Sequence, residues 1–254
     1  MIEWWRLNRE LGRWEAAGHR VRLWWRDDDG TAVTPALIRL VRLAEQFQMP
    51  LLLAIVPGRP PSNGLKGLSV FLEGRPGLFV GQHGVTHANR RRPGESDAEF
   101  PAWEAPAAIA AAIAGAWPRI AALPGSLPVF VPPWNAAHPA LEEALRNVGL
   151  RLSAGAESRS GVAQVHLDLM RWNPAPCFRG QRRCLSHLRR VLRRRRLTND
   201  WVRPVGLLTH HLVHDEATWA FLTALAHRTH TDPRIAWVPP PDLFADSGPG
   251  SGYV

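Results

Sequence analysis

Short apolar, β-prone runs alternate with segments of helical spacing along almost the whole chain, and this alternation restricts the fold more than any other feature. Residues 21–25, 51–56, 78–80, 129–131, 150–153, 162–167, 205–209 and 235–238 read as strands. Between them, 2–18 space Trp4, Leu7, Leu11 and Trp14 at helical intervals. Thr34-Pro35 opens a second helix, with the threonine as N-cap and Leu37, Leu40, Val41 and Ala44 on its inner face. Further helices are expected over 104–123 (with Pro118 as a kink), 139–148, 182–197 and 216–226. Strands that are apolar throughout, each followed by a helix, imply parallel βα units covered on both faces. Seven or eight such strands in 254 residues predict an α/β fold, a distorted (β/α) barrel, as one domain spanning 1–254. The glycine- and serine-rich stretch after Phe244 reads as a frayed tail.

With 45% hydrophobic and 21% charged residues the composition is that of an ordinary globular protein, and no apolar run is long enough for a membrane span. The first residues, Met1 to Arg6, lack the basic-then-apolar layout of a secretory signal, so a cytoplasmic location is expected. Cys177 and Cys184 are too few for a zinc site and too isolated for a disulfide scaffold. The net charge is +9, and Lys66 is the only lysine.

Functional side chains of a βα barrel gather at the C-terminal ends of its strands. Four polar clusters fall there: Asp27-Asp28-Asp29, His83 with His87, Pro132-Pro133-Trp134-Asn135, and Thr209-His210-His211. Three adjacent carboxylates at a buried strand end repel one another unless a cation neutralises them or one stays protonated. In one helical turn His83 and His87 would face the same side, a pairing that suits zinc or a similar first-row ion. With a carboxylate they make a two-histidine, one-carboxylate set that leaves positions open for water and substrate.

From residue 21 to residue 211 this constellation resembles the polysaccharide deacetylase (NodB-homology) family, which implies a NodB-type barrel holding one divalent metal, zinc by expectation. The family's Asp-Asp-Gly assigns Asp28 as base and Asp29 as metal ligand when matched on Gly30. Counting back from Thr34-Pro35 instead selects Asp27 and Asp28, but only the pair Asp28 and Asp29 retains the following glycine. The His-(Ser/Thr)-x-x-His pattern matches ligands His83 and His87, with Gly84 in place of the hydroxyl residue. Phe130-Val131-Pro132-Pro133-Trp134 is similar to the third motif, but Val131 stands where the family has the arginine that orients the catalytic carboxylate, a role open to Arg26. Trp134 and Asn135 then face the oxyanion. Leu208-Thr209-His210 matches Leu-x-His and makes His210 the general acid, with His211 and His214 as competitors. Asp168 and Trp172 correspond to the residues that hold that histidine and wall the pocket. Asp27 and His211 are expected in support.

The resemblance implies hydrolysis of the acetamide of an N-acetylated carbohydrate. The alternatives are hydrolysis of another C–N bond, or a glycan-binding barrel impaired by the loss at Val131. Arginines crowd residues 179–196, but Leu185, Leu188, Val191 and Leu192 recur there at helical spacing. An amphipathic helix with a solvated basic face is the expectation, and the lack of interleaved aromatics argues against nucleic acid as partner.

Overall fold

The computed structural model describes residues 2–58, 64–155 and 163–244. Val162 and the tail beyond Phe244 lie outside this set. The chain begins with α1 (Ile2–Ala16), whose Leu7, Leu11 and Trp14 are buried. It then alternates β1 (Val21–Gly30), α2 (Pro35–Gln46), β2 (Leu51–Ile55), α3 (Gly64–Leu72), β3 (Leu78–His83), α4 (Pro106–Ala121), β4 (Ser126–Val131) and α5 (Leu141–Asn147). The second half holds β5 (Arg151–Leu152), β6 (Ala154–Gly155), β7 (Gln164–Asp168), β8 (Met170–Arg171), β9 (Cys177–Phe178), α6 (Gln181–Leu197), β10 (Val205–Thr209), α7 (Glu216–Thr229), β11 (Ile235–Trp237) and α8 (Pro240–Phe244). The Thr34 hydroxyl caps α2, accepting from Leu37 N at 3.1 Å.

All pairings in the main sheet are parallel, in the order β5-β4-β3-β2-β1-β10-β7-β6, with β11 alongside the start of β1. The two ends of this order are consecutive in the chain, separated only by Ser153. That residue is buried, its N–H bonding to Phe130 O at 2.9 Å and its hydroxyl to Ala163 O at 3.1 Å. The barrel therefore closes through one interrupted strand over 151–155, whose first half pairs with β4 and whose second half pairs with β7. The expected distorted (β/α) barrel is the observed fold.

Alternation along the strands sorts their side chains. Trp24, Leu52, Ala54, Val129, Val131, Val165 and Leu208 fill the barrel interior. Trp25, Leu51, Leu53, Val80 and Leu207 pack outward against Leu37, Leu40, Leu188 and Leu222 of the helix layer.

Several details differ from the sequence reading. β1 does not stop before the acidic triplet but runs through it to Gly30. α4 starts at Pro106 and continues through Pro118. The short α3 and the antiparallel β8–β9 pair carried no recognisable periodicity. The basic face of α6 is not wholly solvated: Arg195 is buried, and Arg196 bonds to the buried Glu10 of α1 at 2.6 Å. Both cysteines are free, and no helix among the described residues is long and apolar enough to cross a membrane.

Candidate metal centre

At the C-terminal end of β1 the pairing with β2 shifts register between Asp27 and Gly30, and Asp29 adopts φ +70°. A bulge of this kind re-aims side chains that strict alternation would send to opposite faces. Each of the three adjacent carboxylates consequently meets a different basic partner, which removes the repulsion expected of them.

Asp29 Oδ1 lies 3.1 Å from His83 Nε2 and 3.1 Å from His87 Nε2. The two imidazoles meet edge to face, with centroids 4.9 Å apart. The helical turn expected to align them is absent: His83 ends β3, and the chain turns through Gly84 (φ +59°) to His87 (φ +56°). His83 Nδ1 lies 3.0 Å from Val131 O, and donation to that carbonyl leaves Nε2 with its lone pair facing the carboxylate. Burial works against charging His83, but Asp28, Asp29 and the Val131 carbonyl together raise its pKa. Burial likewise opposes ionisation of Asp29, and the two imidazoles, when protonated, lower its pKa in spite of it. Two nitrogen acceptors converging on one carboxylate oxygen suit a shared cation. Bond lengths of about 2.0–2.2 Å to a first-row divalent ion place neighbouring ligands about 3 Å apart, as Asp29 Oδ1 is from each Nε2. Asp29, His83 and His87 are the only such cluster among the described residues.

Asp28 points into the barrel beside Arg26, and both are buried. Arg26 Nη2 donates to Asp28 Oδ2 at 2.8 Å, while Nε lies 2.8 Å from Oδ1 off the N–H axis. Oδ1 therefore accepts no hydrogen bond among the described residues. The same guanidinium donates to Asn135 Oδ1 at 2.7 Å and to Ser153 Oγ at 2.9 Å. Arg26 thus sets its charge directly against Asp28.

Trp134 and Asn135 both have positive φ, +56° and +54°. Four of the six non-glycine residues with positive φ lie in this centre (Asp29, His87, Trp134 and Asn135), and such strain concentrates at functional sites. The Trp134 ring packs against His87 at 4.4 Å. The Asn135 side chain serves Arg26, and its N–H is used on Pro132 O at 3.0 Å. The Trp134 N–H, by contrast, has no acceptor among the described residues.

After β10, the His210 ring meets Trp172 edge to face at 4.6 Å. His210 Nδ1 is 3.8 Å from Asp168 Oδ1, within ion-pair range but beyond a hydrogen bond. Asp168 is held by Met170 N and Trp172 Nε1, each at 2.8 Å. His214 accepts from His210 N at 3.4 Å and packs on Trp219, and burial lowers its pKa to about 4.

Asp27 faces the helix layer, not the two imidazoles. It accepts from Thr209 Oγ1 (2.6 Å), His211 N (3.1 Å) and His211 Nδ1 (2.5 Å). Trp25 Nε1 extends this network to Thr209 at 2.9 Å. Burial opposes the ion pair at both ends, yet the Asp27 pKa is lowered and the His211 pKa raised by their contact.

Glu99 and Ser153 were not singled out from the sequence. Glu99 is buried and takes hydrogen bonds from three successive backbone amides of the His83–His87 loop. A lone glutamate 12 residues past the second histidine carries no local signal of that role.

No protein-family profile and no curated protein matches this sequence. Solved structures do. A family 4 carbohydrate esterase from Streptomyces lividans, in complex with acetate, aligns over 82% of this chain and 86% of its own at 15% identity (TM-score 0.51). A peptidoglycan N-acetylglucosamine deacetylase aligns over 92% and 96% at 11% identity (TM-score 0.54). A family 4 acetyl xylan esterase from Clostridium thermocellum, in complex with a cobalt ion, aligns over 88% and 90% at 16% identity (TM-score 0.50).

Proposed function

We propose that this chain, which has the NodB-type fold of the family 4 carbohydrate esterases and polysaccharide deacetylases, is a metal-dependent hydrolase that removes the acetyl group from an N-acetylated sugar or glycoconjugate. The observation that carries this reading is the convergence of Asp29 with the Nε2 atoms of His83 and His87. A buried carboxylate, Asp28, lies beside this set.

Asp29, His83 and His87 would hold one divalent ion, and zinc suits two imidazoles and a carboxylate. Such an ion, when bound, supplies Lewis-acid polarisation of a carbonyl and lowers the pKa of water toward neutrality. Asp28, charge-paired with Arg26, would take the proton of the attacking water. The Trp134 N–H would hold the negative charge that develops on the acetyl carbonyl oxygen. His210, beside Asp168 and Trp172, returns a proton to the departing amine. The C–N bond breaks, a C–O bond forms from water, and acetate and a free amine result.

Purified protein should contain close to one equivalent of divalent metal and release acetate from N-acetylglucosamine oligomers. His83→Ala should lose both. Full acetate release by His83→Ala after chelation would overturn the proposal, and release of other acids from simple amides in preference to acetate would favour a broader C–N hydrolase.

A further inference from the structure

We infer that Glu99 is the positioning residue of the metal loop, and that glycine at position 84 is the condition for it. This rests on reading Asp29, His83 and His87 as one metal site.

The loop from Gly84 to His87 joins the two histidines with left-handed backbone at both ends. In that conformation its amides point to one side and cannot be satisfied by a strand or a helix. Glu99 satisfies them. Its Oε1 accepts from Thr86 N at 2.6 Å, from His87 N at 3.0 Å and from the Thr86 hydroxyl at 3.0 Å; its Oε2 accepts from Val85 N at 2.9 Å. Three consecutive N–H groups around one buried carboxylate form an anion nest, and bonds to an ionised acceptor are the strong kind. The bond to His87 N fixes the backbone of a residue whose ring must meet Asp29. Glu99 touches no reacting atom; it acts through His87.

The same geometry dictates residue 84. A Cβ on Gly84 would lie 2.0 Å from Glu99 Oε2 and 2.6 Å from Pro133 Cγ. A side chain at 84 and the carboxylate of Glu99 compete for one space. A serine or threonine after the first histidine could tie such a loop from within; here that place is vacated and the tie comes from the segment between β3 and α4.

The test is metal affinity, measured by competition between apoprotein and a chromophoric chelator for Zn2+, on wild type, Glu99→Gln, Glu99→Ala, Gly84→Ser and the Glu99→Ala/Gly84→Ser double variant. Urea midpoints of the apo forms are measured alongside. Glu99→Ala should weaken Zn2+ binding about 10- to 100-fold, the range for partners that orient metal ligands. Glu99→Gln, which keeps one acceptor oxygen and the shape, should lose less. Gly84→Ser should weaken binding in the wild-type background and do so at least threefold less where Glu99 is already alanine. At saturating Zn2+ the Glu99→Gln protein should recover its turnover number, with the deficit confined to metal affinity.

Unchanged Zn2+ affinity in both Glu99 variants, or fully additive effects at 84 and 99, would overturn the inference while leaving the metal site intact. A wild type that binds no Zn2+ would overturn the metal site itself and this inference with it. Should Glu99→Ala fail to fold, Glu99→Gln and Gly84→Ser carry the same comparison.

Discussion

Arg26 and Asp28 share the inner face of one strand, and their fork-to-carboxylate contact lies where neither is exposed. Removing one member of a buried pair leaves the other charge uncompensated, which costs about 3–5 kcal/mol. Arg26→Met should therefore lower unfolding stability by about that much, read from urea titration. Arg26→Lys keeps the charge, but a single ammonium cannot serve Asp28, Asn135 and Ser153 together, so it should recover much of the stability and little of the activity. Acetate release at saturating metal should fall at least tenfold in both variants; a lysine variant with wild-type turnover would show that the fork does not orient Asp28. The sequence shows valine at position 131 and an arginine two residues before Asp28, but the contacts of that arginine to Asn135 and Ser153 are made with residues more than 100 positions away in the chain. Matching on Gly30 singled out Asp29, the carboxylate that lies beside both imidazoles. The separate partners of Asp27, Asp28 and Asp29 were not legible, because a bulge is a property of pairing between strands and leaves no period in one of them.

Elements buried on both faces were readable because their apolar runs are uninterrupted: β2 is buried at all five positions, as is β10. Those stabilised only by their surroundings were not. β8 and β9 are two residues each, and the loop joining His83 to His87 is shaped by a glutamate outside it. The interface of β7, β10 and α6 holds a group with a measurable consequence. His166 Nδ1 accepts from Gly206 N at 3.1 Å, and burial, reinforced by Arg195, lowers its pKa to about 3 from 6.5. An imidazole held neutral in the fold but free to protonate when unfolded favours the unfolded chain in acid. Its contribution is complete above pH 6.5 and declines as pH falls toward 3, by about 1.4 kcal/mol per unit. Between pH 7 and pH 5 wild type should lose about 2 kcal/mol more than His166→Gln. Equal losses in the two proteins would mean that the ring is protonated in the fold.

At the scale of the molecule, the alternation of strand and helix announces a barrel, but its closure by the broken strand around Ser153 depends on two pairings that neither two-residue half would suggest alone. Charge is distributed just as unevenly. Residues 179–196 carry nine arginines and no acid, and the remaining 22 basic residues equal the 22 acidic ones, so the whole net charge of +9 belongs to this segment. The run looks uniform in sequence, yet its members are not equivalent. Arg182 and Arg183 are exposed in the first turn of α6, where a helix N-terminus disfavours cations. Arg196, at the other end, donates to Glu10, which is 1% exposed. Reversing charge at the two ends should therefore have opposite signs. Arg182→Glu and Arg183→Glu relieve the unfavourable dipole contact and should stabilise by about 0.5 kcal/mol each, with metal content and acetate release unchanged. Arg196→Glu sets two carboxylates against each other in a buried contact that Arg13 only partly offsets, and should cost about 3 kcal/mol. Thermal or urea unfolding of the three variants decides it: a common response at both ends would mean that the helix senses only the total charge of its surface.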